Sequence, residues 1–231
     1  EASTWNAGTM NGAGTTHFEA ELALGNGSKT LSSGRTLNTT STTTWSGSTN
    51  IGTNSIGLSQ GSIINNTGTW LDQNGHLSQI AQSGGGALGT FNNAGTYTKT
   101  GPAETNVTVA FDNTGAVNID AGTMALSGGG DSSGSFQIGQ AASSIVGSDA
   151  TSAVRFSGGT TNIDGNYDVA SQLTVNGGTV NFNPTSTISQ INALAINSGT
   201  ANFSGHDPAV SSLSMTGGTL GGTGTLTVAG A

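Results

Sequence analysis

Side chains able to carry acid–base or nucleophilic chemistry are few: 4 Lys and Arg, 12 Asp and Glu, and 3 His in 231 residues. His17, His76 and His206 lie in three separate stretches, and His206-Asp207 runs into Pro208, a turn setting. Gly130-Asp131-Ser132-Ser133-Gly134 matches Gly-x-Ser-x-Gly by letter. It follows a glycine run and leads into no helix, so the strand–turn–helix context of a nucleophile elbow is missing. Cleavage of a polysaccharide needs clustered carboxylates, or a carboxylate beside a cation. Lys29, Arg35, Lys99 and Arg155 lie far apart, but Asp112/Asp131 and Asp149/Asp168 are each 19 residues apart. A fold repeating at that period makes each pair neighbours, and the plain reading of such neighbours is a solvated surface pair. Asp164, Asn166 and Asp168 alternate oxygen ligands like the first half of a calcium loop, without the Glu that completes one, and read as an Asx-rich turn. Gly84-Gly85-Gly86 lacks the Lys and helix start of a phosphate cradle and reads as a loop. These residues assign no catalytic group, no cofactor and no complete metal site.

Composition bounds the partners. Charged residues are 7% of the chain, the formal net charge is −8, and there is no Cys. No basic stripe exists to neutralise phosphates or anionic lipid, so nucleic acid and membrane surfaces are not the expected partners. No apolar run approaches the ~20 residues of a membrane span. With 39 Gly and 3 Pro, the chain has neither the amphipathic stretches of a helical bundle nor the strict Gly-X-Y period of collagen.

What the chain does have is a repeat. The pattern apolar-x-apolar-x-x-Gly-Thr-x-x-apolar fits Leu173 to Phe182 and Leu194 to Phe203. Looser copies bring the starts to Val117, Phe136, Val154, Leu173, Leu194 and Leu213, spaced 19, 18, 19, 21 and 19 residues. The copy at Phe136 is degenerate, with Ala141-Ala142 in place of Gly-Thr. Upstream, Ile64-Asn65-Asn66-Thr67-Gly68-Thr69-Trp70 recurs from Phe91 and from Phe111, where it runs into Val117. Trp5-Asn6-Ala7-Gly8-Thr9 and Trp45-Ser46-Gly47-Ser48-Thr49 sit two periods apart. Alternation puts two side chains on one face of a short strand, and Gly supplies the bend before the next. A period near 20 is then one coil of a parallel β-helix, burying its apolar face only against adjacent coils. The expected fold is all-β: a single right-handed β-solenoid over 1–231, with looser repeats in 1–110 and regular ones in 111–231. At 20 residues per coil it has eleven or twelve coils. Register stacking aligns Thr123, Thr160, Thr179, Thr200 and Thr219. The irregular stretch Asp72–Gly89 is expected to be an extruded loop. Trp70 and Tyr97 share the position of Val117, which reads as core, although exposed Trp5, Trp45, Trp70, Tyr97 or Tyr167 could stack on sugars. Thr-x-Thr does not recur in each coil, which argues against an ice-binding face.

The repeats, together with the ending Gly217-Gly218-Thr219-Leu220-Gly221-Gly222-Thr223-Gly224-Thr225-Leu226-Thr227-Val228, resemble large bacterial β-helical exoproteins. The nearest are autotransporter passenger domains and filamentous-haemagglutinin-like adhesins. The resemblance implies an extracellular or cell-surface segment of a longer repetitive protein, a non-enzymatic rod used in attachment, aggregation or biofilm. Glycans and a host or neighbouring cell surface are the expected partners, and an unpaired terminal coil, as an edge that can accept another coil, adds end-to-end association with a second rod. The rival expectation is a β-helical polysaccharide lyase, a tailspike-like depolymerase, or a glycan-binding module.

Overall fold

The structure is a computed structural model and describes residues 2–47, 54–139 and 152–230. All regular structure among these residues is β, and every strand pairing is parallel. From Ser3–Thr4 to Thr123–Leu126 each strand of the main sheet pairs with the strand three along the chain, so one coil carries three strands. The first face stacks, among others, Leu22–Leu24, Thr42–Trp45, Thr69–Asp72, Thr96–Lys99, Ala116–Ile119 and Ser135–Ile138. The second stacks Gly27–Leu31, Asn54–Leu58, Ser78–Gln82, Glu104–Val107 and Thr123–Leu126. The third stacks Thr36–Thr39, Ile63–Asn66, Thr90–Asn93, Ala110–Asn113 and Gly130–Ser132. Farther along, Ala153–Ile163, Asn166–Phe182 and Thr187–Ile196 run around corners without a break and serve two or three faces each.

The parallel β-solenoid with coils of about 20 residues is therefore as expected, while its internal register is not. Spacing between stacked residues is 19 to 21 in most coils, but 27 in two early coils and 31 between Asp131 and Asn162. Among the described residues the third face has ten rungs and the first face eleven, against the expected eleven or twelve coils, and the third-face column is roughly 45 Å long at ~4.8 Å per rung. The repeat starting at Val117 and Phe136 belongs to the first face, whereas Val154, Leu173, Leu194 and Leu213 belong to the second. Val154 lies beside Met124, and Phe136 lies beside Tyr167. The motif describes any corner between two alternating strands, so a spacing of 18 looked like one coil when it was a step to another face. Thr160, Thr179, Thr200 and Thr219 do stack, but Thr123 lies on the second face beside Glu104 and Ala153. Nor is Asp72–Gly89 one extruded loop: Ser78–Gln82 is a second-face strand with Ile80 buried, and only the corners on either side of it are irregular. Ala141 and Ala142, with Ser48 and Thr49, lie outside the described residues.

Alternate residues of each strand fill a narrow core. Trp45, Trp70, Phe91, Tyr97 and Phe111 form one run of ring contacts, and Phe136, Tyr167, Phe182 and Phe203 form another. Phe182 and Phe203, 4.8 Å apart and parallel, show the coil spacing imposed on side chains. Two kinds of glycine allow this stacking. Gly178 takes φ +65° at the corner between second and third faces, a conformation that costs L side chains energy. Gly95 has no such φ, but a Cβ there would overlap the carbonyl oxygen of Gly68 one coil away. Gly95→Ala is therefore expected to cost about 2 kcal/mol or more through forced separation of coils. Gly85→Ala, whose Cβ would meet nothing within 4 Å, should be near neutral. Urea unfolding midpoints check this, and equal midpoints for the two variants would contradict the close-packed corner.

Candidate functional site

The unusual chemistry lies inside the solenoid, where the first face meets the second. Most inward positions here are apolar: the first-face column runs through Ile119, Ile138 and Val169, and the second-face column through Met124, Val154 and Leu173. In the earlier coils the same columns hold Asp72 and Lys99, and Asn54, Ser78 and Thr105. Asp72 and Lys99 pair in register and are fully buried, with Lys99 Nζ 3.4 Å from Asp72 Oδ2. That oxygen also accepts from Thr105 Oγ1 at 2.5 Å and Tyr97 OH at 2.9 Å. Asp72 Oδ1 accepts from the backbone N–H of Asn74 at 3.2 Å and its Nδ2 at 2.8 Å. Thr105 Oγ1 accepts in turn from Lys99 Nζ at 3.0 Å. Asn54 Nδ2 donates to Asn74 Oδ1, while Asn54 Oδ1 accepts from Trp45 Nε1 at 2.9 Å and Lys29 Nζ at 3.0 Å. Lys29 also caps the carbonyls of Gly25 and Gly27 at 2.6 and 2.8 Å.

Two like-on-like ladders flank this network. Inside the third face Asn66 Nδ2 donates to Asn93 Oδ1, Asn93 Nδ2 to Asn113 Oδ1, and Asn113 Nδ2 to Ser132 Oγ, at 2.7 to 3.1 Å. Outside the same face, Asn38, Asn65 and Asn92 are joined by Nδ2-to-Oδ1 hydrogen bonds of 2.7–2.8 Å, as are Asn162, Asn181 and Asn202 at 2.8 Å. Asp112 and Asp131 stand between the two Asn runs. Asp131 N–H donates to Asp112 Oδ1 at 3.0 Å, and Asn162 Nδ2 donates to Asp131 Oδ1 at 2.7 Å. A shallow groove runs beside the first run, lined by His17, Asn38, Thr40, Asn65, Thr67 and Asn92.

Against this frame the residues singled out above fall apart as a catalytic set. Asp112 and Asp131 do become neighbours, but as members of a hydrogen-bonded column. Asp149 lies outside the described residues. Asp164 Oδ1 is bound by Asn183 and Thr185 of the next coil, and Asn166 Oδ1 by Ser189, while Asp168 Oδ1 has no hydrogen-bond partner among the described residues. Asn166 and Asp168 sit on the first face and Asp164 at the corner before it, so the three are spread along the strand. Ser132 is buried at the end of the inner Asn ladder, out of reach of a substrate. His76 is exposed beside Gln73 and Gly75. His206 Nε2 lies 2.7 Å from the carbonyl of Asn183 and 2.9 Å from Ser186 Oγ. A bond to that carbonyl requires Nε2 to carry the proton, so this nitrogen is not a base for Ser186. Trp5, Trp45, Trp70, Tyr97 and Tyr167 are all buried, which removes the sugar-stacking reading of each. Arg155 bridges to Glu104 across the small side chain of Ala125, and Arg35 donates to Thr16 Oγ1.

The buried network was missed, although its signal was present. Aligning Thr69-Trp70-Leu71-Asp72 and Thr96-Tyr97-Thr98-Lys99 with Ala116-Val117-Asn118-Ile119 puts a carboxylate and an ammonium at an apolar inward position. Comparison with protein-family models, with curated proteins and with solved structures gives no match.

Burial lowers the pKa of Lys29 to about 8. A lowered Lys pKa means that the unfolded chain binds more protons above that pH, so folded stability rises as pH passes upward through about 8 toward the unfolded value. The urea midpoint of the protein is expected to rise between about pH 8 and pH 10. Lys29→Met should flatten that rise and cost about 1–3 kcal/mol at neutral pH, because buried carbonyls lose their donor. Parallel pH profiles for the two proteins would contradict this.

Proposed function

We propose that this chain is a non-enzymatic, rod-forming segment of a bacterial surface adhesin or fibre, acting outside the cell in attachment, aggregation or biofilm. The observation that carries this reading is where the chemistry is spent. Among the described residues the Trp and Tyr rings, two of the four Lys and Arg, and the carboxylate of Asp72 are enclosed in the core. The outer third face presents mainly amides already bonded along the rod axis. A surface of that kind favours display and spacing over turnover. Self-association through the solenoid ends belongs to the same reading, and electron microscopy of concentrated protein showing isolated rods alone would remove it.

One observation favours a second reading, a glycan-binding module. The groove beside Asn38, Asn65 and Asn92 offers amide donors and acceptors in a repeating array, a fit to sugar hydroxyls. Incubation with a panel of bacterial and host polysaccharides, followed for retention and for new reducing ends, separates the readings. The rod predicts no new reducing ends. Retention that Asn65→Leu weakens would favour glycan binding along the groove. Release of reducing ends would overturn the non-enzymatic account and direct attention to Asp112 and Asp131.

A further inference from the structure

We propose that Asp72 and Lys99 are joined by an intramolecular amide between Asp72 Cγ and Lys99 Nζ, a covalent staple across two adjacent coils. It is independent of what the rod attaches to. The geometry points to it at four places. The two side chains are register partners with no exposure, and the amine lies 3.4 Å from the carboxylate. Thr105 Oγ1 connects the same two groups, accepting from Nζ at 3.0 Å and donating to Asp72 Oδ2 at 2.5 Å. Asp72 Oδ1 faces two donors, the N–H and Nδ2 of Asn74. The surroundings are dry: the Tyr97 ring packs against Phe91 and Phe111 while its hydroxyl reaches Oδ2.

Each part has a role in condensation. An ion pair removed from water loses much of its advantage over the neutral acid and amine. Burial also lowers the Lys99 pKa, the larger influence there, against the opposing pull of Asp72. One proton passes from the ammonium through the Thr105 hydroxyl to Oδ2, giving a neutral amine and a neutral acid. The Nζ lone pair then adds to Cγ, and negative charge developing on Oδ1 is met by the two Asn74 donors, an oxyanion arrangement. A second proton follows the path through Thr105 to Oδ2, the Cγ–Oδ2 bond breaks, and Oδ2 leaves as water. Ammonium and carboxylate thus become one amide and one water, with no oxidant or other reactant. The fold supplies what the reaction lacks in solution, a fixed approach of two groups in a water-poor site.

Intact-mass spectrometry of the denatured full chain reads the outcome directly. The expected mass is one water below that of the sequence, and digestion with a broad-specificity protease should yield a branched peptide joining the Asp72 and Lys99 segments. Lys99→Arg should restore the full sequence mass. Thr105→Val should lower the cross-linked fraction and Thr105→Ser should recover it, with circular dichroism confirming that each variant folds. Gly85→Ala, whose added methyl group touches nothing within 4 Å, should retain the loss. A wild-type chain at the full sequence mass would overturn the proposal. So would a water loss that maps to a succinimide at Asp164-Gly165, and full cross-linking in Thr105→Val would overturn the relay.

Discussion

Parallel in-register stacking is the constraint from which the rest of this molecule follows. Each strand gives its backbone hydrogen bonds to the coils before and after it, so each residue stands beside a counterpart one coil away. A side chain therefore has two obligatory neighbours of the same position, and its chemistry must suit both. Asn meets this demand on either side of the wall because one amide can donate in one direction and accept from the other. Rings meet it by stacking, as Phe182 does on Phe203. Glycine meets it at corners where coils approach too closely for a Cβ, as Gly95 does against Gly68.

Charge meets it by dense bonding: Lys29 stands among neutral acceptors, while Asp72 and Lys99 face each other. A lone Asp or Lys in such a column would stand in a dry core, at a cost of several kcal/mol. Asp72 and Lys99 occupy one column on successive coils, and the adjacent second-face column supplies Thr105, Ser78 and Asn54 to complete the bonding. From Ile119 and Met124 onward the described residues of these two columns, through Ile138 and Val169 and through Val154 and Leu173, are apolar. The change from polar to apolar inward residues thus falls within two columns under one backbone architecture. A register that left either of these groups without the other would carry the cost of an unpaired buried charge. That matters in a repeat protein, where a slip of one coil would otherwise leave most apolar contacts intact.

Much of the architecture was legible because alternation and period are written in residue types. The Asn-Asn-x-Gly copies after Ile64 and Phe91 and the Asp-Asn-x-Gly copy after Phe111 stack as their letters imply, and Trp70 and Tyr97 are core as their alignment with Val117 implies. The phase of the repeat was not legible, since every face uses the same alternation and Gly-Thr opens strands on more than one of them. The step from Phe136 to Val154 therefore looked like one coil, although the coil closes at Tyr167. The polar corner was hidden differently. Lys29 and Lys99 stand far apart in sequence and Asp72 opens an irregular stretch, and pairing across 27 residues is visible only when coil lengths are known.

The account depends on the coil register, and the chain has no native cysteine to complicate labelling. Thr36 and Thr200 point outward on the third face, and the pairing sequence places seven coil steps between them. Spin labels on Thr36→Cys and Thr200→Cys, measured by pulsed electron resonance, should give one narrow distribution centred at about 34 Å, seven steps of ~4.8 Å. A broad distribution, or a centre shorter by two or more coil steps, would contradict the stacked register on which the core, the ladders and the buried Asp72–Lys99 pair all rest.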